Sequence, residues 1–178
     1  LASAVAAVLA GRNQGRGNDI DDDRENYLAY LAGLRKSVAD NAAAQRTWAL
    51  WSHPEPDALW VVAGGPRMWE RQLGDPEFGS VRVGIGPAAP TSRLVAPSRD
   101  PVRRVDPVTD AALRRFLDAH AAVPDVPVAL MVLGPSPLCL DGDTERARGL
   151  LRALICQLAV LHGPDALLIA AVDGRHRG

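Results

Sequence analysis

A helical pattern of apolar residues and two short apolar runs lie around one polar turn at Gly142. Between 150 and 161 the apolar positions are spaced by three and four residues, which predicts an amphipathic helix. A short apolar run at 138–140 precedes the turn, and a second run ending at Asp173 follows the helix. Strand, glycine turn, helix and strand form the βαβ arrangement in which a helix N-terminus can hold phosphate groups.

Three further elements are predicted in the middle of the chain. Alternating apolar residues predict a strand at 81–86, and the apolar run at 126–133 is predicted to be a second strand. Apolar positions on one face predict a helix at 110–121. A proline-rich loop, with a short strand around 94–95, connects the first strand to this helix. Together with the βαβ unit, these elements predict an α/β fold class.

The stretch from 21 to 51 predicts one long helix with a narrow apolar seam. Tyr27, Leu31, Leu34 and Val38 are spaced alternately by four and three residues, as in the seam of a coiled coil. About thirty helical residues extend roughly 45 Å, which is the length of a stalk rather than of a core helix. Two interpretations are equally open: the seam binds another copy or another subunit, or it packs on its own domain.

All four tryptophans follow closely on one another, at Trp48, Trp51, Trp60 and Trp69. Such clustering predicts a small aromatic core that joins the stalk to the following domain, with a ligand cage as the weaker alternative. His53 is predicted to be a structural histidine, because no Ser, Cys or carboxylate lies at the spacing of a catalytic triad. Three charged residues of this stretch are predicted to lie on the surface or in ion pairs, namely Arg67, Glu70 and Arg71.

The first ten residues are all apolar or small. Ten residues are too few to span a bilayer, which needs about twenty. They fit the end of a truncated transmembrane helix, because Arg12 and Arg16 behind them would mark its cytoplasmic flank. A frayed alanine-rich helix of a soluble protein explains the same composition equally well.

Length, charge and cysteine content narrow the class of protein. The chain has 178 residues, a formal net charge of -1 and an isoelectric point near 6.5, which suits one domain with an appendage. Only short basic pairs such as Arg103-Arg104 occur, so nucleic-acid binding is not predicted. Cys139 and Cys156 stand among apolar residues without metal-site spacing, which predicts buried free thiols in a reducing compartment.

The turn at Gly142 departs from a phosphate-binding loop at the positions that carry its chemistry. Such a loop reads GxxxxGK[ST], and its backbone amides, lysine and hydroxyl hold the phosphates and Mg²⁺. Counted from Gly142, Ala147 replaces the second glycine. Arg148 and Gly149 replace the lysine and the hydroxyl residue. The degenerate loop as a whole comprises Gly142, Asp143, Thr144, Glu145, Arg146, Ala147, Arg148 and Gly149.

Two acidic residues also argue against phosphate binding at this loop. Asp143 and Glu145 place negative charge where phosphates would lie, and they stabilise an unoccupied helix N-terminus instead. We therefore expect no catalytic residue, no metal and no cofactor in this segment. The alternative is a regulatory or weakly active nucleotide site, in which Arg148 supplies the charge of the missing lysine without its compact geometry.

Four long segments carry a resemblance to a known family: WSHPEPDALW, PRMWERQLGDPEFGSVRVGIG, DPVTDAALRRFLDAHAAVPDVP and DGDTERARGLLRALICQLAVLHGPD. In this order they resemble the EccC proteins, the membrane-anchored FtsK/SpoIIIE-type ATPases of the actinobacterial type VII (ESX) secretion system. The resemblance covers nearly the whole chain. It implies the end of a transmembrane segment with a basic linker at 1–17 and a stalk helix at 18–51. It also implies a degenerate P-loop (RecA/FtsK-like) three-layer domain at 52–178, incomplete at its C-terminus.

The resemblance further implies a function and partners. The stalk and a pseudo-ATPase domain would couple cytosolic ATPase domains to the membrane channel for protein export. The segment would lie on the cytoplasmic side of the inner (cell) membrane, beside EccB, EccD and EccE, in a higher-order oligomer formed through the parent complex. ATP and Mg²⁺ would bind in the other domains of the longer EccC protein. DNA translocation, as in the chromosome-pumping relatives, is not favoured because extended basic patches are missing.

Overall fold

The computed structural model describes residues 18–96 and 106–172, and it contains both helices and strands. In chain order the elements are α1 (Asn18–Ser52), a 3-10 turn (Pro56–Ala58), α2 (Leu59–Val62), β1 (Ser80–Ala88), α3 (Pro107–Ala119), β2 (Val123–Met131) and α4 (Thr144–Leu161). β1 and β2 pair as an antiparallel two-stranded sheet. This mixture confirms the α/β prediction at its coarse level. The predicted membrane segment at 1–17, the basic pair at 103–104 and Asp173 lie outside the described residues.

α1 confirms the predicted long helix, and it begins at Asn18. At about 1.5 Å per residue, a helix of this length extends roughly 50 Å. It ends at Ser52 because Pro54 cannot continue it, and the backbone N–H of His53 closes the last turn on the oxygen of Ala49 at 2.8 Å. Across the two described ranges, none of the helices combines the length and apolar character that crossing a membrane requires.

Contacts divide the chain into two compact units. Of the described residues, the first unit comprises 18–45, 89–96 and 106–123. The second unit comprises Arg46–Ala88 together with 124–172. α1 therefore contributes residues to both units. The predicted boundary between a stalk and a domain beginning at residue 52 stays a prediction.

The first unit combines a small apolar core with one ion pair between α1 and α3. Leu31 of α1 and Phe116 of α3 are buried. Arg24 donates to both carboxylate oxygens of Asp106, at 2.7 and 3.2 Å. Asp106 also accepts the backbone N–H of Thr109 at 3.1 Å and so caps α3. The hydrogen bond from Arg24, more than any other contact, lowers the pKa of Asp106 to about 2.

The second unit packs α4 against β1 and α2. Gln157 lies on the packed face of α4, and its side-chain amide pairs with the backbone of Arg82 in β1. The Oε1 atom of Gln157 accepts the N–H of Arg82 at 2.7 Å, and the Nε2 atom donates to the oxygen of Arg82 at 2.9 Å. Gln157 thus replaces the hydrogen bonds of a neighbouring strand. The apolar core around it is aliphatic: Leu59, Val62, Val81, Val126, Leu154 and Leu161.

The strands predicted on either side of α4 are not formed. α4 itself is present, but the described runs at 138–140 and 167–172 adopt no strand structure. A strand needs a hydrogen-bonded neighbour, and within 18–96 and 106–172 neither run has one. Leu168 and Val172 are accordingly 86% and 97% exposed. The predicted flanking strands, and the short strand around 94–95, are wrong for these residues, and the three-layer P-loop arrangement stays a prediction.

Candidate functional site

The degenerate loop leads into α4 through a capped helix start. Gly142 has a φ angle of +126°, a conformation that favours glycine. Asp143 follows as the N-cap, and its carboxylate accepts the backbone N–H of Arg146 at 2.9 Å. The N–H of Ala147 donates to the backbone oxygen of Asp143 at 2.9 Å. The chain's own carboxylate therefore binds an N–H group that a phosphate loop would offer to its ligand, as the acidic residues predicted.

The charged side chains of the loop pair with each other. Arg148 lies 3.1 Å from Glu145, and both side chains are largely exposed. Thr144, which begins α4, and Gly149, in its second turn, are exposed as well. The cation that a nucleotide site would need is thus already partnered by a carboxylate. Within the described parts of the chain, no group of three or more His, Cys, Asp or Glu side chains is placed to hold a metal.

A buried polar cluster lies beside β1, around Arg71. Arg71 is 4% exposed, and its guanidinium donates to the backbone oxygens of Ser52, at 2.6 Å, and Ser80. Burial lowers the pKa of Arg71, while Glu77, 4.0 Å away, acts in the opposite direction. Of the two alternatives predicted for Arg71, the surface position is therefore wrong, whereas the ion pair is present in its contact with Glu77. The sequence carries no signal for this burial, because the acceptors are backbone oxygens that any residue provides.

His53 confirms the predicted structural role. Its ring is buried, and Nε2 lies 3.0 Å from the hydroxyl of Ser80. Burial, followed by the positive charges of Arg71 and Arg82, lowers the pKa of His53 from 6.5 to about 4. Arg82 also donates to the backbone oxygen of His53 at 3.3 Å. The ring is therefore neutral at physiological pH, and its burial against Ser80 is a structural role.

His162, which the sequence pattern did not single out, closes the same cluster at the end of α4. Its Nε2 accepts the backbone N–H of Gly79 at 2.9 Å, and its Nδ1 lies 3.1 Å from the backbone oxygen of Leu158. An accepting nitrogen carries no proton, so the ring is neutral with the proton on Nδ1. Burial lowers the pKa of His162. The backbones of Arg71 and His162 form a parallel bridge, which joins the end of α4 to this cluster.

The tryptophans lie on the surface, so the predicted aromatic core is wrong. Trp48, Trp51, Trp60 and Trp69 are 59%, 61%, 77% and 46% exposed. The buried apolar residues of the second unit are aliphatic instead. Two tryptophans have partners at the surface instead: the guanidinium of Arg67 lies 3.8 Å from the Trp51 ring centroid, and the indole N–H of Trp69 donates to the backbone oxygen of Ala159 at 3.3 Å. Their predicted role at a stalk–domain junction stays a prediction.

An open cavity of about 530 Å³ lies beside two of these tryptophans, within the second unit. Arg67 and Glu70, which border it, form the predicted ion pair at 2.5 Å. Asp75 is exposed and Glu77 is partly exposed at the same cavity. We call it the aromatic groove, defined by Trp48, Trp51, Arg67, Glu70, Asp75 and Glu77.

The predicted seam of α1 faces partly into the first unit. Leu31 is 5% exposed, whereas Tyr27, Leu34 and Val38 are half-buried. Val38 lines a small cavity together with His120, which follows α3. Of the two alternatives predicted for the seam, Leu31 follows the second: it packs within its own unit. A role of the seam in binding another subunit stays a prediction.

The two cysteines are free, as predicted, but they are exposed rather than buried. Cys139 follows Leu138, which is itself 46% exposed, and Cys156 follows Ile155, which is 36% exposed. Burial of the two cysteines was predicted from their apolar neighbours in the chain. Those neighbours were expected to lie in a buried strand and on a covered helix face. The prediction of buried thiols is therefore wrong.

Comparison with known proteins finds relatives among secretion proteins. The chain is 49% identical over 172 residues to the ESX-4 secretion system protein EccC4 of Mycobacterium tuberculosis (strain ATCC 25618 / H37Rv), a match that covers 97% of the chain and 14% of that protein. It is 38% identical over 169 residues to the ESX secretion system protein EccC of Thermomonospora curvata, covering 95% of the chain and 13% of the relative. The ESX-3 secretion system protein EccC3 of M. tuberculosis is 37% identical over 174 residues, covering 96% and 13%. The chain thus spans a small part of the curated relatives it matches, and no family model matches it.

Proposed function

We propose that this chain, which belongs to the EccC proteins of ESX secretion systems, is a non-hydrolysing coupling module of a type VII secretion motor. α1 serves as the stalk, and the second unit serves as a pseudo-ATPase domain that links cytosolic ATPase domains to a membrane channel for protein export. The observation that carries this proposal is the start of α4. There Asp143 caps the helix with its carboxylate and Glu145 pairs with Arg148. In our proposal these contacts stand where a phosphate loop would carry its chemistry.

Charge at this helix start supports a role without nucleotide hydrolysis. A phosphate entering here would meet the carboxylates of Asp143 and Glu145 and would have to displace the contacts that both now make. Mg²⁺ bound to a nucleotide usually has few protein ligands. One of them is the Ser or Thr hydroxyl of the phosphate loop, and this chain has Gly149 at that position. A nucleotide binding at this loop would therefore be repelled by two carboxylates, and the loop would provide no hydroxyl for its Mg²⁺.

Exposed apolar residues on α1 support a role in contacts with other subunits. Leu28 is 43% exposed and Tyr30 is 53% exposed, although Leu31 beside them is buried. We assign the contact with EccB, EccD or EccE to these two exposed positions, which lie on different faces of α1, rather than to Leu31. The assembly would form at the cytoplasmic side of the inner membrane as a higher-order oligomer. The relatives support this setting because they are named as ESX secretion system proteins.

Calorimetric titration of the 178-residue chain with ATP·Mg²⁺ tests the pseudo-ATPase part. We expect no binding in the micromolar range for the native chain, for Arg148→Ala, or for Arg152→Ala, a control that removes an exposed arginine of α4 outside the loop. Micromolar binding that Arg148→Ala abolishes and Arg152→Ala leaves intact would overturn the proposal in favour of a regulatory nucleotide site.

Photo-cross-linking of the intact membrane complex tests the stalk part. A photoreactive residue introduced at Leu28 or Tyr30 should capture EccB, EccD or EccE, because these positions are exposed on α1. The same residue at Phe116, buried in the first unit, should give no intermolecular product. Absence of capture at both α1 positions, with the complex shown to be assembled, would contradict the role of α1 as a partner-binding stalk.

A further inference from the structure

We propose that the aromatic groove binds an arginine side chain of a partner polypeptide. Three observations carry this inference: indole rings exposed at a cavity, carboxylates at the same cavity with acceptor capacity to spare, and a guanidinium already stacked on one of the rings. The groove lies within the second unit and away from the degenerate loop in sequence. Its occupation does not depend on the proposed coupling role.

The charges of the groove leave two carboxylates for a ligand. Arg67 is engaged by Glu70 through two hydrogen bonds, at 2.5 and 2.8 Å. Arg71 also lines the cavity, is buried and donates to backbone oxygens. Asp75 accepts one backbone N–H at 2.7 Å, and Glu77 forms a salt bridge with Arg71 at 4.0 Å that uses one of its oxygens. An ionised carboxylate offers about four acceptor sites, so Asp75 and Glu77 can each accept further donors.

The tryptophans supply a flat apolar surface beside these carboxylates. The guanidinium of Arg67 already lies 3.8 Å from the ring centroid of Trp51, which shows that this surface stacks with arginine. Trp48 lies one helical turn before Trp51 and lines the same groove, with 59% of its surface exposed. In the described part of the chain no cation lies over the ring of Trp48. Its indole face is the open position for a second guanidinium.

Arginine fits this groove better than lysine does. A guanidinium stacks flat on an indole while its five N–H donors point outward in the ring plane towards carboxylates. A lysine ammonium brings the charge but not the planar face. The volume of about 530 Å³ admits a whole arginine side chain and the adjoining backbone. Because the groove is open to solvent, a single arginine should bind weakly, with a dissociation constant on the order of 1 mM.

Nuclear magnetic resonance of the four indole N–H signals in the 178-residue chain tests the proposal. The probes are N-acetyl-arginine amide, its uncharged analogue N-acetyl-citrulline amide, and N-acetyl-lysine amide. We expect saturable shifts of the Trp48 and Trp51 signals with the arginine probe, and at least tenfold weaker binding of the other two. Trp60 is 77% exposed and does not line the groove, so its signal serves as an internal control.

Paired substitutions distinguish the groove from general attraction between charges. The double variant Asp75→Asn, Glu77→Gln keeps side-chain size and acceptor oxygens and should weaken arginine binding at least tenfold. Asp57→Asn removes an exposed carboxylate of the same unit outside the groove and should leave binding unchanged. Equal binding of arginine and citrulline, equal effects of both sets of substitutions, or shifts of Trp60 as large as those of Trp48 would each overturn the proposal.

Discussion

The two units differ in where their polar interactions lie. In the first unit, Arg24 and Asp106 join α1 to α3 through a pair that remains open to water, with side chains 34% and 27% exposed. In the second unit, Arg71 and Gln157 are buried and hydrogen-bond to backbone groups. Water can replace a lost partner at an exposed pair but not at a buried one. The second unit should therefore depend strongly on single polar side chains, and the first only weakly.

Removal of the Arg71 side chain should have the largest effect. Arg71→Ala leaves the backbone oxygens of Ser52 and Ser80 buried without their donors, and it opens a cavity as well. We expect a loss of roughly 3–5 kcal/mol in the free energy of unfolding, because each buried oxygen left unsatisfied costs about 1–3 kcal/mol and the cavity adds to that. Urea titration measures the loss, and hydrogen exchange of amides in 46–88 locates it.

A matched variant separates burial from charge in this experiment. Arg114→Ala removes an arginine of the first unit whose side chain is 64% exposed and pairs with Asp110 within α3. We expect a change within about 0.5 kcal/mol, as for most exposed helix pairs. If Arg71→Ala and Arg114→Ala cost the same, the contrast between buried and exposed polar contacts would be wrong.

Acidification should act on the two units in different pH ranges. His53 has a folded-state pKa of about 4, against 6.5 for the unfolded chain, and the pKa of His162 is lowered too. Between pH 4 and pH 6.5 the unfolded chain binds more protons than the folded chain. The contribution of His53 to stability is therefore fully present above pH 6.5 and is lost as the pH drops towards 4. His53 alone should account for up to roughly 3 kcal/mol of this loss.

The first unit should respond only at lower pH. The lowered pKa of Asp106, about 2, means that its contribution is present above the ordinary value of 3.8 and disappears as the pH falls through 2. Once exchange rates are corrected for the slower intrinsic exchange at pH 5, amide exchange should therefore accelerate between pH 7 and pH 5 in the second unit alone, and His53→Gln should reduce that acceleration. Equal acceleration in both units between these pH values would contradict the assignment of the histidines.

A backbone conformation provides a smaller test within the second unit. Trp69 has a φ angle of +61°, in the left-handed region that side chains with a Cβ atom adopt at a cost. Trp69→Gly and Trp69→Ala both lose the indole hydrogen bond to Ala159, but only glycine relieves the strain. We expect Trp69→Gly to be more stable than Trp69→Ala by about 1 kcal/mol in urea titration. A more stable alanine variant would show that position 69 leaves this conformation.

Regular elements were predictable because their signals are local. The spacing of apolar residues predicted α1, α3 and α4, alternation predicted β1, and a continuous apolar run predicted β2, each within a few residues of its ends. The contacts that define each unit have no such signal. Arg24 and Asp106 are 82 positions apart, and Gln157 and Arg82 are 75 apart. Their partners follow from tertiary packing, which periodicity does not encode.

The candidate sites divide in the same way. The capped loop was predictable from Asp143 because an N-cap is a contact between near neighbours in the chain. The tryptophans were predicted to be buried because they cluster along the chain, but position in the chain does not decide burial. Once aliphatic residues fill the core, Trp48 and Trp51 remain at the surface, where they form the aromatic groove.

Loss of the Arg24–Asp106 pair should give the smallest effect, and its parts can be separated. Asp106→Asn keeps an N-cap acceptor for Thr109 and loses only the charge, whereas Asp106→Ala loses the cap as well, so alanine should destabilise α3 more. Arg24→Ala should add little to Asp106→Asn in a double-mutant cycle, because each removes the same pair. In Arg24→Ala, the carboxyl resonance of Asp106 should titrate closer to the ordinary value of 3.8 than to 2, since its main stabilising hydrogen bond is gone. A titration unchanged by Arg24→Ala would mean that the cap on Thr109, rather than the ion pair, lowers the pKa, and that the first unit is joined by apolar packing alone.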